Sequence, residues 1–141
     1  MKIIGSIVCL LWMVPAFAQG LDAGAPAAPK TTLVVPDAAH PWAAAQIGSA
    51  LQGDISYQEG SLLQALAAAK AGAAVGVVEI RLDTSAAFES GRVVCYSPEG
   101  RKLWEEKVMF NLGGGEERIA RRFVDALEKK VEGKRCSQPS A

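Results

Sequence analysis

The chain has 141 residues, with fifteen Lys or Arg balanced by fifteen Asp or Glu and a single histidine. A formal charge of zero leaves no basic stripe of the kind nucleic acid requires and no polybasic surface for an anionic membrane. Aromatic residues make up only 6%, too few for a groove built on ring stacking, whereas the abundant Ala and Gly suit closely packed helices and strands.

Lys2 is followed by an apolar run from Ile3 to Phe17, and Ala16-Phe17-Ala18 supplies the small-x-small pattern of a signal-peptidase site. The run is about 15 residues long and broken by Gly5 and Pro15, short of the roughly 20 residues that a spanning helix needs. Residues 1–18 therefore read as a cleaved export signal. Val8 precedes Cys9 where a lipid-attachment site wants a small residue, which argues against a lipoprotein. The expected mature chain starts near Gln19, works in the periplasm or outside the cell, and has no stable membrane insertion. Residues 19–30, QGLDAGAPAAPK, have neither helical nor alternating pattern and read as a flexible linker.

From Thr31 the pattern becomes that of one folded domain, expected over 31–132. TTLVV is a β-branched strand closed by Pro36-Asp37. A helix follows, with Pro41 in its first turn, Trp42, Ile47, Ala50 and Leu51 near one face, and Gly53 as its stop. DISYQ (54–58) reads as a brief strand. Ser61 and Gln64 form a capping box for a second helix, whose apolar stripe is Leu62, Leu63, Leu66 and Ala69 and which ends at Gly72. Residues 73–82 alternate, Gly76, Val78, Ile80 and Leu82 facing one way and Glu79 and Arg81 the other. Strands over 92–96 and 102–110 flank Ser97-Pro98-Glu99-Gly100, a type I turn, and so form a hairpin. Asn111 to Gly115 connects to an amphipathic helix over 116–131, with Ile119, Phe123, Val124, Leu127 and Val131 on its apolar side. Residues 133–141 read as a disordered tail. The order β-α-β-α-β-β-β-α predicts an α/β (α+β) domain with a mixed sheet of four or five strands, parallel early and antiparallel in the hairpin.

Three stretches carry a family resemblance: Val34-Val35-Pro36 before a helix, the run from Ala69 to Val78 in which a helix passes through Gly72 into an apolar strand, and Gly100-Arg101-Lys102-Leu103-Trp104 in the hairpin, followed by the closing helix. In this order they resemble the amino-terminal domain of the TolB translocation protein and the related periplasmic core of the curli-secretion channel family, over roughly residues 31–131. The resemblance implies a small non-enzymatic envelope module that docks against another envelope protein. It carries over no site residue, and the chain lacks the repeat array, pore strands and anchor cysteine of such relatives.

Among candidate sites, His40 lacks metal-ligand spacing to any cysteine and reads as a residue at a helix start; no metal or cofactor is expected. Gly113-Gly114-Gly115 before a helix resembles an anion loop, but Glu116 and Glu117 fill the first turn and repel phosphate. Glu105 and Glu106 are adjacent on a strand and point apart, so they form no catalytic pair. Glu79 and Arg81 share a strand face with strand charges such as Arg92 and Lys107 as pairing partners, and that face becomes a docking surface if helices cover only the other side. Trp104 is either core or an exposed interface anchor. Cys95 and Cys136 form an even pair in an oxidising compartment and are expected to bridge; the other reading is a buried Cys95 and a loose Cys136. The contrasting functional reading is a secreted small-ligand binder or hydrolase with a pocket at the strand ends, near Asp37 and Asp83.

Overall fold

The computed structural model describes residues 30–84, 89–110 and 114–138. Residues 1–18, read above as an export signal, all of the expected linker except Lys30, and Gly113 of the glycine run lie outside the described residues. The chain runs β1 (Thr31–Val35), α1 (Ala43–Ala50), β2 (Asp54–Tyr57), α2 (Leu62–Ala68), β3 (Gly76–Asp83), β4 (Glu89–Tyr96), β5 (Lys102–Phe110) and α3 (Glu116–Val131). The strands form one open mixed sheet in the order β2-β1-β3-β4-β5, with β1 parallel to both β2 and β3 and the last three strands antiparallel.

Alternation along the strands divides the sheet into two unequal faces. On the first, Val34, Val78, Ile80, Leu82, Val93, Cys95 and Val108 pack with α1 and α3 around Ile47, Phe123, Val124 and Leu127. Ala43, Ala44 and Gly48 are buried along α1, and their small size lets that helix approach the sheet closely. Gln46 of α1 donates from Nε2 to Asp125 Oδ1 and Glu128 Oε2 of α3 at 2.9 and 2.6 Å, which fixes the two helices side by side. On the second face, α2 buries Ala65 and Ala69 against Leu33, Val35, Val77 and Ala74. Among the described residues, only the β1–β3 part of that face gains a helical cover, although Glu79 and Val94 on the remainder are themselves buried.

Local chemistry sets several of the element ends, although β4 begins at Glu89, three residues before its expected start at Arg92. Ser61 Oγ accepts from Gln64 N at 3.2 Å and Gln64 Oε1 accepts from Ser61 N at 3.0 Å, completing the capping box of α2. Past α2 the chain makes a wide turn over Ala69–Ala73, in which Gly72 takes φ +96°. That turn takes up Ala73, and with Ala74 and Val75 leading out of it β3 begins at Gly76, three residues later than the alternation suggests. Ser97 O accepts from Gly100 N at 2.9 Å, and Ser97 Oγ accepts from Arg101 N at 3.2 Å, closing the hairpin turn. α3 places Glu116 and Glu117 in its first turn and Lys129 and Lys130 in its last, complementing the helix dipole at both ends.

Two further expectations about the fold need correction. Leu63 belongs to the predicted apolar stripe of α2 but is 77% exposed, because the packed side of the helix runs through Leu62, Ala65, Leu66 and Ala69 and Leu63 is turned well away from that line. The segment after α3 is also not a loose tail as far as Cys136. Gly133 N donates to Ala50 O at 3.0 Å, and Lys134 O accepts from Gln52 N at 2.8 Å. Cys136 is buried and bonded to Cys95 through a disulfide, with a Cα–Cα separation of 5.6 Å.

This closure explains Gly76. A Cβ built there would lie 2.5 Å from Cys136 O and 3.1 Å from Tyr96 O. Both are backbone atoms, so neither swings aside. Gly76→Ala is expected to destabilise the domain by about 2 kcal/mol through overpacking, read as a lower urea midpoint. An unchanged midpoint would mean that the tail does not close over β3.

Candidate functional site

The carboxyl ends of β1 and β3 lie next to each other, and the chain leaves them in different ways. β1 leads into α1 on one face, whereas α2, which enters β3, lies on the other. Open α/β sheets form crevices at such a divergence. Here a groove of about 740 Å³ is lined by Asp37, Ser61, Leu63, Arg81, Asp83 and Arg92, with Lys107 at its far side. It lies between the start of α2 and the uncovered part of the second sheet face.

Asp37, the first residue after Pro36, is already committed. Its Oδ1 accepts from Ala39 N and His40 N, both at 3.1 Å, the turn geometry that a short acidic side chain favours. Its Oδ2 accepts from Leu82 N at 3.1 Å, pinning the β1–α1 connection to the end of β3. His40 is buried, with Nδ1 3.1 Å from Asp37 Oδ1, Nε2 3.7 Å from Glu116 Oε1, and its ring edge-on to Trp42. The histidine sits at the entry to α1, as its place before Pro41 suggests, and is held there by Asp37. Asp83 shares the groove with Asp37 and engages a neighbouring group of its own.

The charged residues of the open face align in rows set by strand register. Arg81 lies opposite Arg92, and Arg92 lies opposite Lys107, so three cations cross β3, β4 and β5 side by side. The adjacent row is Glu79, Val94 and Glu105. Glu79 is buried and pairs with Arg81 Nε at 3.2 Å. Glu105 accepts from Lys102 Nζ at 2.9 Å. That hydrogen bond outweighs the opposing loss of hydration and, with smaller contributions from the charges of Lys102, Arg92 and Lys107, holds the Glu105 carboxyl below its ordinary value of 4.5. Its ion pair therefore favours the folded state above the usual carboxylate range and fades as the pH falls through the lowered value. The sequence suggests that Arg92 and Lys107 would pair with Glu79 or Arg81. Instead Glu79 and Arg81 pair with each other, and among the described residues Arg92 and Lys107 have no carboxylate within 4.0 Å.

Trp104 lies elsewhere, half-buried on the face that carries α3. Its Nε1 donates to Arg135 O at 3.1 Å, and Lys134 Nζ stands 5.4 Å above the ring while bonding Glu106 Oε1 at 3.2 Å. Trp104 thus anchors the segment that leads to Cys136 and is separate from the Glu79–Arg81 face. Among the described residues no group of three His, Cys, Asp or Glu side chains is arranged to hold a metal ion, and no helix is long and apolar enough to cross a membrane. No protein-family model, curated protein or solved structure matches the chain.

Proposed function

We propose that this is an exported, non-enzymatic protein of the cell envelope, similar in build to the TolB amino-terminal domain and the curli-channel core, that works by binding another envelope protein. The observation that carries the reading is the unequal covering of the sheet. α1 and α3 bury one face, while the β3–β5 part of the other presents Arg81, Arg92 and Lys107 beside exposed Met109. An uncovered sheet face bordered by apolar side chains is a natural docking surface.

The strand-end reading, a small-ligand binder or hydrolase, draws on the groove shared by Asp37 and Asp83. Against it, both Asp37 oxygens take backbone amides and the only histidine is buried between carboxylates. The groups left to face an incoming molecule are mainly cations.

A crosslinked pull-down from the host's envelope fraction tests this proposal, comparing the wild-type protein with Arg92→Glu combined with Lys107→Glu. The wild type is expected to capture a defined protein and the charge-reversed variant to lose it, while both retain their thermal midpoints to within a few degrees. Recovery of the same proteins by both, or of none by either, would overturn the reading.

A further inference from the structure

The row of cations is a local conflict. Like charges placed directly opposite on neighbouring strands destabilise a sheet. Arg81–Arg92 and Arg92–Lys107 are two such pairs in succession. The nearby carboxylates offset the conflict only in part. Glu79 is buried against Arg81, Glu105 is engaged with Lys102, and Asp37 accepts from three backbone amides. Asp83 sits in the next row toward the groove mouth and has its own partner. Arg92 and Lys107 remain to be matched from outside.

Resting on the docking role proposed above, we infer that the groove receives an acidic segment of a partner polypeptide, lying across β3, β4 and β5 with carboxylates at alternate positions and an apolar residue beside them. Spacing favours an extended chain. Strands lie about 4.8 Å apart, so the outer cations of the row are rooted about 10 Å from each other, while alternate side chains of an extended peptide recur about every 7 Å. Arg and Lys stems bridge that difference, and two arginines offer forked donors to carboxylates. The apolar requirement comes from Leu63, which lines the groove and is 77% exposed, and from Met109, 56% exposed two residues beyond Lys107 on the same face of β5 and opposite Ser90 of the groove. A flat anionic membrane would meet the cations but would not fill a concave groove. A peptide satisfies both.

The test uses fluorescence anisotropy with the purified mature protein. The probe is a labelled nonapeptide with glutamates at its third, fifth and seventh positions and a leucine at each end, so that all five side chains share one face of the extended chain; its counterpart carries glutamines instead. At low ionic strength the glutamate peptide is expected to bind at least about tenfold tighter than the glutamine peptide, and added salt should erase the difference. Arg92→Gln should remove most of the preference without lowering the thermal midpoint, since it relieves repulsion in the free protein. Arg122→Gln, on the exposed side of α3, should retain the preference. Equal binding of the two peptides, or equal losses in the two variants, would overturn the inference. So would capture by phosphatidylglycerol vesicles with no peptide preference, which would assign the row to a lipid surface. If the peptides fail while the pull-down partner is still lost on charge reversal, docking on this face stands and its acidic chemistry falls. If the glutamate peptide binds but the envelope yields no partner, the groove chemistry stands and the docking role falls.

Discussion

Cys95→Ala combined with Cys136→Ala is expected to lower the unfolding free energy by about 4 kcal/mol, the loop-entropy value for a closure of this length. The two cysteines are 41 residues apart, and their bridge ties the chain beyond α3 back onto β4. Treating the wild type with reductant should reproduce the loss. Because Lys134 and Arg135 cover Trp104 through the same segment, its emission should shift to the red before global unfolding. Urea titration followed by this fluorescence reads both effects. A double variant with the wild-type midpoint would show that the closing segment is held by its hydrogen bonds and packing alone.

The second large effect is expected at Asp37. Asp37→Ala strands the amides of Ala39 and Leu82 together with the His40 ring, while His40 N keeps the Asp37 carbonyl at 3.2 Å, and should cost about 3 kcal/mol, the scale of a charge-assisted hydrogen bond lost from a partly buried site. Asp37→Asn keeps one carbonyl oxygen and should recover about half of that loss. The same pair of variants separates structure from catalysis. If Asp37 is a tie, peptide binding and the partner pull-down persist in Asp37→Asn. If a hydrolytic activity is found and vanishes in Asp37→Asn while stability is untouched, the strand-end reading replaces the one proposed here.

How far the sequence could lead varies from element to element. The alternation through Val78, Ile80 and Leu82, the Ser-Pro-Glu-Gly turn and the stripe of α3 are local patterns with local causes, and each appears in the fold where the sequence places it. The small residue at position 76 has a cause only in three dimensions, because the backbone that excludes a Cβ arrives from Cys136, sixty residues later. The exposed Leu63 is a different case: at about 100° per residue it lies well to the side of the line through Leu62, Ala65, Leu66 and Ala69, so helical spacing alone already sets it apart.

The candidate site divides along the same line. Glu79 and Arg81 are legible as a polar face from alternation alone. The opposition of Arg92 to both Arg81 and Lys107 depends on the registers of two antiparallel pairings, one of them carrying an irregularity at Cys95 and Tyr96, and a shift of one residue would move these side chains to the opposite face. Asp37 is recognisable as a turn former from its place after Pro36. Its bond to Leu82 N, which removes it from the pool of reactive acids, spans 45 residues and becomes visible only in the fold.

The central claim is that the uncovered β3–β5 face is the working surface, and a photo-crosslinker scan in the living host addresses it most directly. Crosslinkers placed singly at Arg81, Arg92, Lys107 and Met109 are expected to trap one partner in common, while those at Arg122, Asp125 and Lys129 on the outer side of α3 trap nothing. Adducts confined to the α3 positions, with a silent sheet face, would contradict the account.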